Sequence, residues 1–430
     1  MPYQRLIDAF DFHAADRGDA VALIARSRAS GQLVTSTWGQ LDRVINERST
    51  EFANRRFGNT QPDNSHEQVV DILAMMRCGV MEACVDPNLI SIDQTQAVPP
   101  AAALILQTSG TTSTPKGVVL THTNLLGNAA AKLTAVPQST DDVRLTVLPL
   151  SHAYARTSDF GTWLVSGCTL AVTLGFDGLC DFAPVVRPTL MNVVPSIAYR
   201  LLDSGTDLTA MGLGRLRLLG CGGAPISAVT FEQFKRMGIT VIQGYGLTET
   251  GPVICSATPE NAAAGLVGDF VDGWQHEIRD GELFVRGPHV MHGYWNDEPA
   301  TRAKVDSDGW LRTGDLVDRD DETGQLRILG RVDDVLVMDN GRKISPSSIQ
   351  RDLEQLAGVH HAMLVWRGRL ECWIDGELAE DAIRKVLSQN PHCRHATLHR
   401  FDPPLSIERA ELTAKGTIRR NAIMARWPKA

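Results

Sequence analysis

Apolar and polar positions alternate along the chain in two ways. Short apolar runs are typical of strands, while apolar residues that recur every three or four positions are typical of amphipathic helices. Because the two patterns follow one another through most of the chain, they predict parallel sheets covered by helices. The strand-like runs include VALIAR (21–26), LVTSTW (33–38), LTVLPL (145–150), CTLAVTL (168–174) and TLMNVVP (189–195).

The pattern changes twice in the second half of the chain. Residues 268–295 carry short β-type runs between Gly and Asp turns, which predicts a small antiparallel or β-barrel-like subdomain. Near Arg331 a Gly- and Asp-rich stretch ends, and a compact segment with its own helical pattern (379–387) begins. We therefore predict an α/β protein with a large N-terminal domain (1–330) and a small α+β C-terminal domain (331–430).

Composition narrows the range of functions. The chain has 430 residues, of which 43% are hydrophobic, and a net charge of −8 from 42 basic and 50 acidic side chains. This balance argues against nucleic acid as a main partner. The eight cysteines include no C-x-x-C pair, so neither a zinc site nor a disulfide framework is expected. Reduced thiols and the lack of an apolar run of about 18 residues predict a soluble, cytoplasmic protein without a transmembrane segment.

The segment 104–128 carries the densest candidate chemistry. An apolar strand end, Leu104 to Leu106, leads into Thr108–Gly117, a run of hydroxyl-bearing residues with two glycines, one proline and Lys116. A helix start is predicted near Thr123, and a strand, a polar loop and a helix together are suited to binding phosphates. A Ser/Thr/Gly linker is the alternative, but the apolar flanks and the Pro-Lys-Gly sequence count against it. The loop is not a Walker motif, because no Ser or Thr follows the lysine.

Two further segments carry side chains suited to a nucleotide. In VIQGYGLTETG (241–251), Tyr245 can stack on a base, Thr248 can bond a phosphate oxygen and Glu249 can hold a divalent cation. The alternative is a helix N-terminus, with Thr248 as the cap. In WLRTGD (310–315), a turn is predicted to carry Asp315, whose carboxylate can accept hydrogen bonds from two ribose hydroxyls; an ordinary Asp turn is the alternative.

Taken together, these segments resemble the adenylate-forming superfamily, and most closely its long-chain fatty acyl-CoA synthetases. The resemblance extends from about residue 20 onward and is thinnest in the first 100 residues. LPLSHAYAR (148–156) and DNGRK (339–343) carry the likeness to the long-chain branch. One departure is Ser113, which stands where the family usually has glycine.

The resemblance implies roles for individual residues. The small C-terminal domain would be mobile, with a hinge at Asp333, and Gly341 would lie beside the pantetheine arm of the acyl acceptor. The catalytic residues would be Lys415, Thr248, Glu249 and His152, with Glu249 also holding Mg²⁺. The nucleotide would be bound by the phosphate loop (Thr108, Ser109, Gly110, Thr111, Thr112 and Lys116), by the glycine turn Gly222, Gly223, Ala224 and Pro225, and by Tyr245, Asp315 and Arg331.

The register of Lys415 differs from the family pattern. The usual spelling has the lysine nearer the arginines, whereas Lys415 is followed by Gly416 and Thr417 in LTAKGTIRRNAI (412–423). A flexible ammonium is suited to bridging a substrate carboxylate and the α-phosphate. The alternative is a solvated basic surface.

The implied activity uses ATP, Mg²⁺ and coenzyme A. A carboxylic acid, most simply a fatty acid, would attack the α-phosphorus of ATP to give an acyl-adenylate, and a thiol would then displace AMP. One alternative is an acyl-AMP ligase that loads a phosphopantetheinyl carrier protein instead of coenzyme A. Another is a degenerate nucleotide-binding protein of the same fold, which Ser113, the register of Lys415 and the short N-terminal region suggest.

Overall fold

The computed structural model describes residues 3–108, 115–203, 207–339, 343–354, 356, 358–377, 379–412 and 418–426. The α-helices in these ranges are α1 (Leu6–Asp16), α2 (Trp38–Phe52), α3 (His66–Cys78), α4 (His122–Ala135), α5 (Ala153–Ala155), α6 (Thr162–Ser166), α7 (Gly175–Val186), α8 (Pro195–Asp203), α9 (Ala228–Arg236), α10 (Glu298–Lys304), α11 (Pro346–Glu354), α12 (Glu380–Ser388) and α13 (Arg420–Arg426).

Strands make up most of the remaining regular structure. A π-helical segment (Arg156–Gly161) joins α5 to α6, and 3₁₀ turns occur at Thr248–Thr250 and Val332–Asp334. The strands are β1 (Val21–Arg26), β2 (Leu33–Thr37), β3 (Phe57–Gly58), β4 (Met81–Cys84), β5 (Ala102–Gln107), β6 (Gly117–Thr121), β7 (Val143–Thr146), β8 (Thr169–Val172), β9 (Leu190–Val193), β10 (Leu218–Cys221), β11 (Thr240–Gly246), β12 (Val253–Ser256), β13 (Asp269–Phe270), β14 (Gln275–Arg279), β15 (Glu282–Arg286), β16 (Gly293–Tyr294), β17 (Leu311–Arg319), β18 (Leu326–Arg331), β19 (Leu336–Val337), β20 (Lys343–Ile344), β21 (Val359–Trp366), β22 (Leu370–Gly376) and β23 (Thr397–Arg400).

The largest sheet has the order β13-β12-β11-β10-β9-β7-β8-β1-β2. Its central pairs, from β1 through β8, β7, β9 and β10 to β11, are parallel, whereas the outer pairs are antiparallel. Every residue of β9 and β10 is buried, as expected for parallel strands covered on both faces. The predicted strand at 145–150 lies instead at Val143–Thr146, and Pro149, which cannot donate a ladder hydrogen bond, is not part of it.

A second sheet, in the order β16-β6-β5-β4-β3, contains the polar loop. The predicted succession of strand, loop and helix is wrong here, because β6 lies between the loop and the helix and pairs antiparallel with β5. The apolar run Val118–Leu120 favours a strand, and all three residues are buried. Helix α4 begins only after β6, where the Thr121 hydroxyl caps it by accepting a 3.1 Å hydrogen bond from the Asn124 amide.

The β-rich segment predicted at 268–295 is divided among three sheets. Strands β14 and β15 join β17 and β18 in an antiparallel sheet of order β14-β15-β17-β18, whose outer strands are not paired with each other in the described residues. Strand β13 extends the largest sheet, and β16 pairs with β6. This part of the chain therefore connects the two larger sheets.

The C-terminal part builds a core of its own. The sheet β21-β22-β23 packs with α11 and α12 around apolar side chains that include Ile349, Leu353, Leu364, Ile374 and Ile383. Helix α12 confirms the helical pattern predicted at 379–387.

Two buried ion pairs connect strands of the two larger sheets to the π-helical segment. Arg156 in the π-helical segment pairs with Glu82 in β4, and both side chains are almost wholly buried. Arg144 in β7 pairs with Asp159 at 2.6 Å, also out of contact with solvent. Among the described helices, none is both long and apolar enough to cross a membrane.

Candidate active site

A cavity of about 270 Å³ opens where β10 and β11 end. Ligands of open parallel sheets commonly bind at the carboxyl ends of the strands, because loops rather than helices begin there. Its lining combines backbone, hydroxyl and charged groups: Gln107, Lys132, His152, Ala153, Tyr154, Ser158, Gly222, Gly223, Ile242, Gly244, Tyr245, Gly246, Leu247, Thr248, Pro252, Val253 and Cys255.

The polar loop is closed at its base by two hydrogen bonds. The Thr108 amide donates to the Lys116 carbonyl at 2.9 Å, and the Lys116 amide donates to the Thr108 hydroxyl at 3.0 Å. The Lys116 ammonium lies 3.8 Å from Asp297 and 5.1 Å from the centre of the Tyr294 ring. These contacts are only partly buried, so Lys116 can exchange them for a phosphate. Ser109, Gly110, Thr111 and Thr112 fall outside the described residues.

Glu249 lies on the 3₁₀ turn that follows β11. The Tyr294 hydroxyl donates a 2.7 Å hydrogen bond to Glu249 Oε1. Burial, and then the Glu249 charge, raises the pKa of Tyr294, so the tyrosine stays a donor. Within the described ranges, no group of three or more His, Cys, Asp or Glu side chains is arranged to hold a metal ion. One carboxylate beside phosphate oxygens is nevertheless a common magnesium site, so Glu249 fits that ion.

The alternative of a helix N-terminus does not describe Thr248. The turn Thr248–Thr250 is only three residues long, and Thr248 is its first residue while Leu247 holds the cap position. Thr250 makes the local side-chain bonds instead, since its hydroxyl accepts from the Leu247 amide at 3.0 Å. Thr248 lines the cavity.

Three polar side chains from separate strands meet at one edge of the cavity. The hydroxyl of Tyr245 in β11 donates to Asp315 Oδ2, and Arg331 at the end of β18 lies 3.1 Å from Asp315 Oδ1. Asp315 was predicted to lie in a turn, but it lies within β17, where Gly314 has φ +79°. A Cβ at position 314 would come within 2.8 Å of the Arg331 guanidinium, so glycine allows this close approach.

Burial is the largest influence on the pKa values of Asp315 and Tyr245. It raises the pKa of Asp315, although Arg331 and the Tyr245 hydroxyl both oppose the shift. Burial, and then the neighbouring Asp315 charge, raises the pKa of Tyr245 well above its usual value. Asp315 therefore accepts hydrogen bonds from Tyr245 and Arg331 in this structure.

The glycine turn follows β10, as predicted. A Cβ at Gly222 would lie 2.8 Å from the Tyr154 ring, and Gly223 has φ +85°, so both positions favour glycine for geometric reasons. Gly222 and Gly223 line the cavity, whereas Ala224 and Pro225 continue the turn and are not part of the lining.

His152 and Tyr154 also lie at the cavity, on either side of the start of α5. Tyr154 packs against the glycine turn, and its burial raises the pKa of its hydroxyl well above the usual value. Gly341 and Lys415 fall outside the described residues.

Two lysines at the site were missed by the sequence reasoning. Lys304, at the end of α10, donates a 3.1 Å hydrogen bond to the Thr313 carbonyl. Burial lowers its pKa, while the nearby carboxylates of Glu249 and Asp315 oppose that shift.

Lys132 is the second missed lysine, and it lies in the cavity wall. Helix α4 buries a polar stripe, with Asn124, Asn128 and Lys132 one turn apart. The Asn128 amide group bonds Val253 on β12 in both directions, and the Lys132 ammonium donates to the Ser256 hydroxyl at 2.6 Å. In the sequence, the spacing of four marks one helix face but does not tell whether that face is buried.

The surroundings of Lys132 are unusual for an ammonium. Burial, assisted by the nearby Arg144 and opposed by Asp159, lowers the pKa of Lys132 to about 7. Burial also raises the pKa of Asp159 to about 6, against the effect of Arg144. Placing charged groups in this wall of the cavity therefore costs folding free energy.

Known proteins resemble this chain over much of its length. Residues 13–295 match the family described as AMP-binding enzyme. The chain is 29% identical over 356 residues to long chain acyl-CoA synthetase 7, peroxisomal, from Arabidopsis thaliana, which is 68% of this chain and 48% of the relative. It is 32% identical over 295 residues to the indoleacetate–CoA ligase of Aromatoleum aromaticum, which is 64% of this chain and 56% of the relative.

A solved structure extends the likeness of fold to almost the whole chain. The O-succinylbenzoate coenzyme A synthetase of Bacillus subtilis, in complex with AMP, superimposes with a TM-score of 0.80 at 21% identity, covering 96% of this chain and 97% of that chain. By contrast, the chain spans about half the length of the curated relatives it matches.

Proposed function

Since the chain belongs to the family of AMP-binding enzymes, we propose that it is an AMP-forming acid–thiol ligase. It would join a carboxylic acid to AMP at the expense of ATP, and then transfer the acyl group to the thiol of coenzyme A.

The observation that carries this proposal is that segments distant in the chain meet beside one cavity, which Tyr245 and Thr248 line. Tyr245, Asp315 and Arg331 are bonded to one another although they come from three strands. Glu249 and Lys116 both contact Tyr294. A carboxylate for ribose, a carboxylate for a cation and a lysine for phosphates are the groups that Mg²⁺·ATP needs.

The first half-reaction depends mainly on position and charge. A carboxylate oxygen of the acid attacks the α-phosphorus, the bond from that phosphorus to the bridging oxygen breaks, and pyrophosphate leaves with the electron pair. Mg²⁺, held by Glu249, would neutralise phosphate charge when bound. The Thr248 hydroxyl donates to a phosphate oxygen, Lys116 faces the β- and γ-phosphates, and Asp315 orients the ribose.

The second half-reaction exchanges one acyl bond for another. The thiol sulfur attacks the acyl carbon, the bond between that carbon and the AMP oxygen breaks, and the thiol proton leaves to solvent. His152 and Tyr154 flank the region where the acyl carbon would lie.

The acyl part and the thiol acceptor belong to the proposal as well. The relatives include a long-chain acyl-CoA synthetase and an indoleacetate–CoA ligase, so a fatty acid and an aromatic acid are both candidate substrates. Coenzyme A is the proposed acceptor, with a phosphopantetheinyl carrier protein as the alternative. The described cysteines form no disulfides, which supports a reducing, cytoplasmic compartment.

We further propose that residues 1–330 and 331–430 act as two domains with a hinge at Asp333. The separate apolar core of the C-terminal part supports this division. Lys415 would then serve adenylation, and Gly341 thioester formation.

A half-reaction test examines the hinge proposal. Lys415→Ala should abolish acyl-AMP synthesis yet still convert supplied acyl-AMP to thioester, because the lysine would face the site only in the first state. A bulky residue at Gly341 should have the opposite effect. Equal damage to both half-reactions by both variants would reject the swinging domain.

The overall activity is tested by exchange of labelled pyrophosphate into ATP across a panel of carboxylic acids. Acid-dependent exchange is expected for at least one compact acid, and product assays with free coenzyme A and with a loaded carrier protein then identify the acceptor. Tight ATP binding without exchange for any acid would favour a nucleotide-binding protein without catalytic activity.

A further inference from the structure

One wall of the cavity is lined by polar groups that the nucleotide does not need. Lys132, Ser158 and Cys255 line this wall, and all three are buried. They come from α4, the π-helical segment and β12, so the wall is built by three packed elements. We call these residues the inner wall.

The inner wall has more hydrogen-bonding capacity than the protein uses. An ammonium carries three donors, and among the described residues Lys132 donates only to Ser256. Ser158 is 1% exposed, and its hydroxyl has no hydrogen-bond partner in the described part of the chain. Because buried polar groups are normally hydrogen-bonded, these atoms indicate a polar ligand group.

The charges of this wall do not balance without a ligand. The charged neighbours of Lys132 are Arg144 and Asp159. Arg144 is already paired with Asp159 at 2.6 Å, and Asn192 donates to the same Asp159 oxygen at 2.7 Å. When Lys132 is protonated, two cations therefore face one anion, and among the described residues no carboxylate forms an ion pair with the Lys132 ammonium, although Asp159 Oδ2 has no hydrogen-bond partner of its own. Buried charges are retained when they are paired, which makes an anionic ligand group the natural complement.

We propose that the carboxylic acid substrate carries a second carboxylate, which binds the Lys132 ammonium at the inner wall. The first carboxylate would then lie toward Thr248, where it is activated. This inference rests on the proposed ligase function and adds the chemical class of the acid. A cavity of about 270 Å³ is at the lower end of ligand sites, so the diacid should be compact.

The wild-type enzyme provides the first test. Pyrophosphate exchange is measured with straight-chain monocarboxylic and dicarboxylic acids of equal carbon number, from about four to ten carbons. We expect kcat/KM to favour the diacid of the best length over its monoacid by about ten- to a hundredfold, as for a hydrogen bond to a charged group.

A matched pair of variants provides the second test. Lys132→Met keeps the length of the side chain and removes the charge, and it should reduce the diacid preference by about the same factor. Lys235→Met removes an exposed lysine on α9 and should leave the preference unchanged. Circular dichroism verifies the fold of both variants. If Lys132→Met does not fold, the wild-type ratio tests the second carboxylate, and the pH dependence of that ratio tests Lys132.

The outcomes separate this inference from the function on which it rests. A diacid preference that depends on Lys132 and not on Lys235 supports it. Exchange that is as fast or faster with every monoacid overturns the second-carboxylate proposal while leaving the ligase function intact. No exchange with any acid, in the presence of ATP and Mg²⁺, overturns both.

Discussion

The two ends of the cavity hold their charges in different ways. At the nucleotide end, Arg331 is 43% exposed beside Asp315, and Lys116 is 34% exposed beside Asp297. Beside the inner wall, the charged neighbours of Lys132 are buried: Arg144 and Asp159 are 5% and 0% exposed. Partly exposed pairs are screened by water and exchange partners readily, whereas buried pairs are costly to break. If the proposals hold, the proposed nucleotide end is suited to binding and release, and the inner wall to a fixed selection of one chemical class.

The largest expected effect is at a buried ion pair next to the inner wall. Arg156→Met leaves the Glu82 carboxylate buried without its cation, so the free energy of unfolding should fall by about 3–5 kcal/mol in a urea titration. The matched surface variant, Arg302→Met, breaks the exposed pair with Glu298 and should change the free energy of unfolding by about 0–1 kcal/mol.

A double variant sharpens this comparison. Arg156→Met combined with Glu82→Met removes both charges, and part of the lost stability should return because no unpaired ion remains. If the double variant were as unstable as the sum of the two single variants, the contacts of the aliphatic stems rather than the charges would explain the loss.

At the nucleotide end, the strongest effect is expected on rate rather than on stability. Glu249→Gln keeps the shape of the side chain but removes the negative charge that would hold Mg²⁺. Pyrophosphate exchange should slow by about a hundred- to a thousandfold, with an unchanged melting temperature. Glu298→Gln, on the exposed face of α10, is the control and should exchange at the parent rate. An unaltered rate in Glu249→Gln would remove this residue from the metal site.

The smallest effect is a difference in pH dependence between the two substrate classes. Burial lowers the pKa of Lys132 to about 7, so the ammonium that a second carboxylate requires is fully present below pH 7 and is lost above it. For a diacid, kcat/KM should therefore fall by about tenfold per pH unit above pH 7, and a monoacid should not show this loss.

Other groups facing Lys132 do not produce the same change. The pKa of Asp159, raised by burial to about 6, places its titration at lower pH. Burial raises the pKa values of Tyr154 and Cys255, so both remain neutral well above pH 7. Identical pH profiles for diacid and monoacid would contradict the role of Lys132.

Contiguous motifs allowed the residues proposed to bind the nucleotide to be named from the sequence. Tyr245, Glu249 and Asp315 stand in short segments with a recognisable order of residues, and the structure places Asp315 beside Tyr245 and Arg331. The local structure was harder to predict, since Asp315 lies in a strand rather than a turn. A strand also precedes α4, because the apolar run of β6 pairs antiparallel with β5 across the polar loop, a local pairing that the sequence reasoning missed.

The inner wall could not be predicted in the same way. Lys132, Ser158 and Cys255 come from three separate elements, and no motif connects them. In the sequence, Lys132 is a lysine on a helix, where exposure to solvent is the usual outcome. Only the packing of α4 against β12 shows that the stripe containing Asn128 and Lys132 faces inward.

The most direct test of the ligase account is a single-turnover experiment without coenzyme A. The full chain is incubated with ATP, Mg²⁺ and the acid that gives the fastest pyrophosphate exchange, and the products are identified by mass spectrometry. We expect enzyme-bound acyl-AMP with one equivalent of pyrophosphate, followed by thioester and AMP once coenzyme A is added. Formation of ADP and phosphate instead, or ATP that remains intact with every acid, would contradict the account.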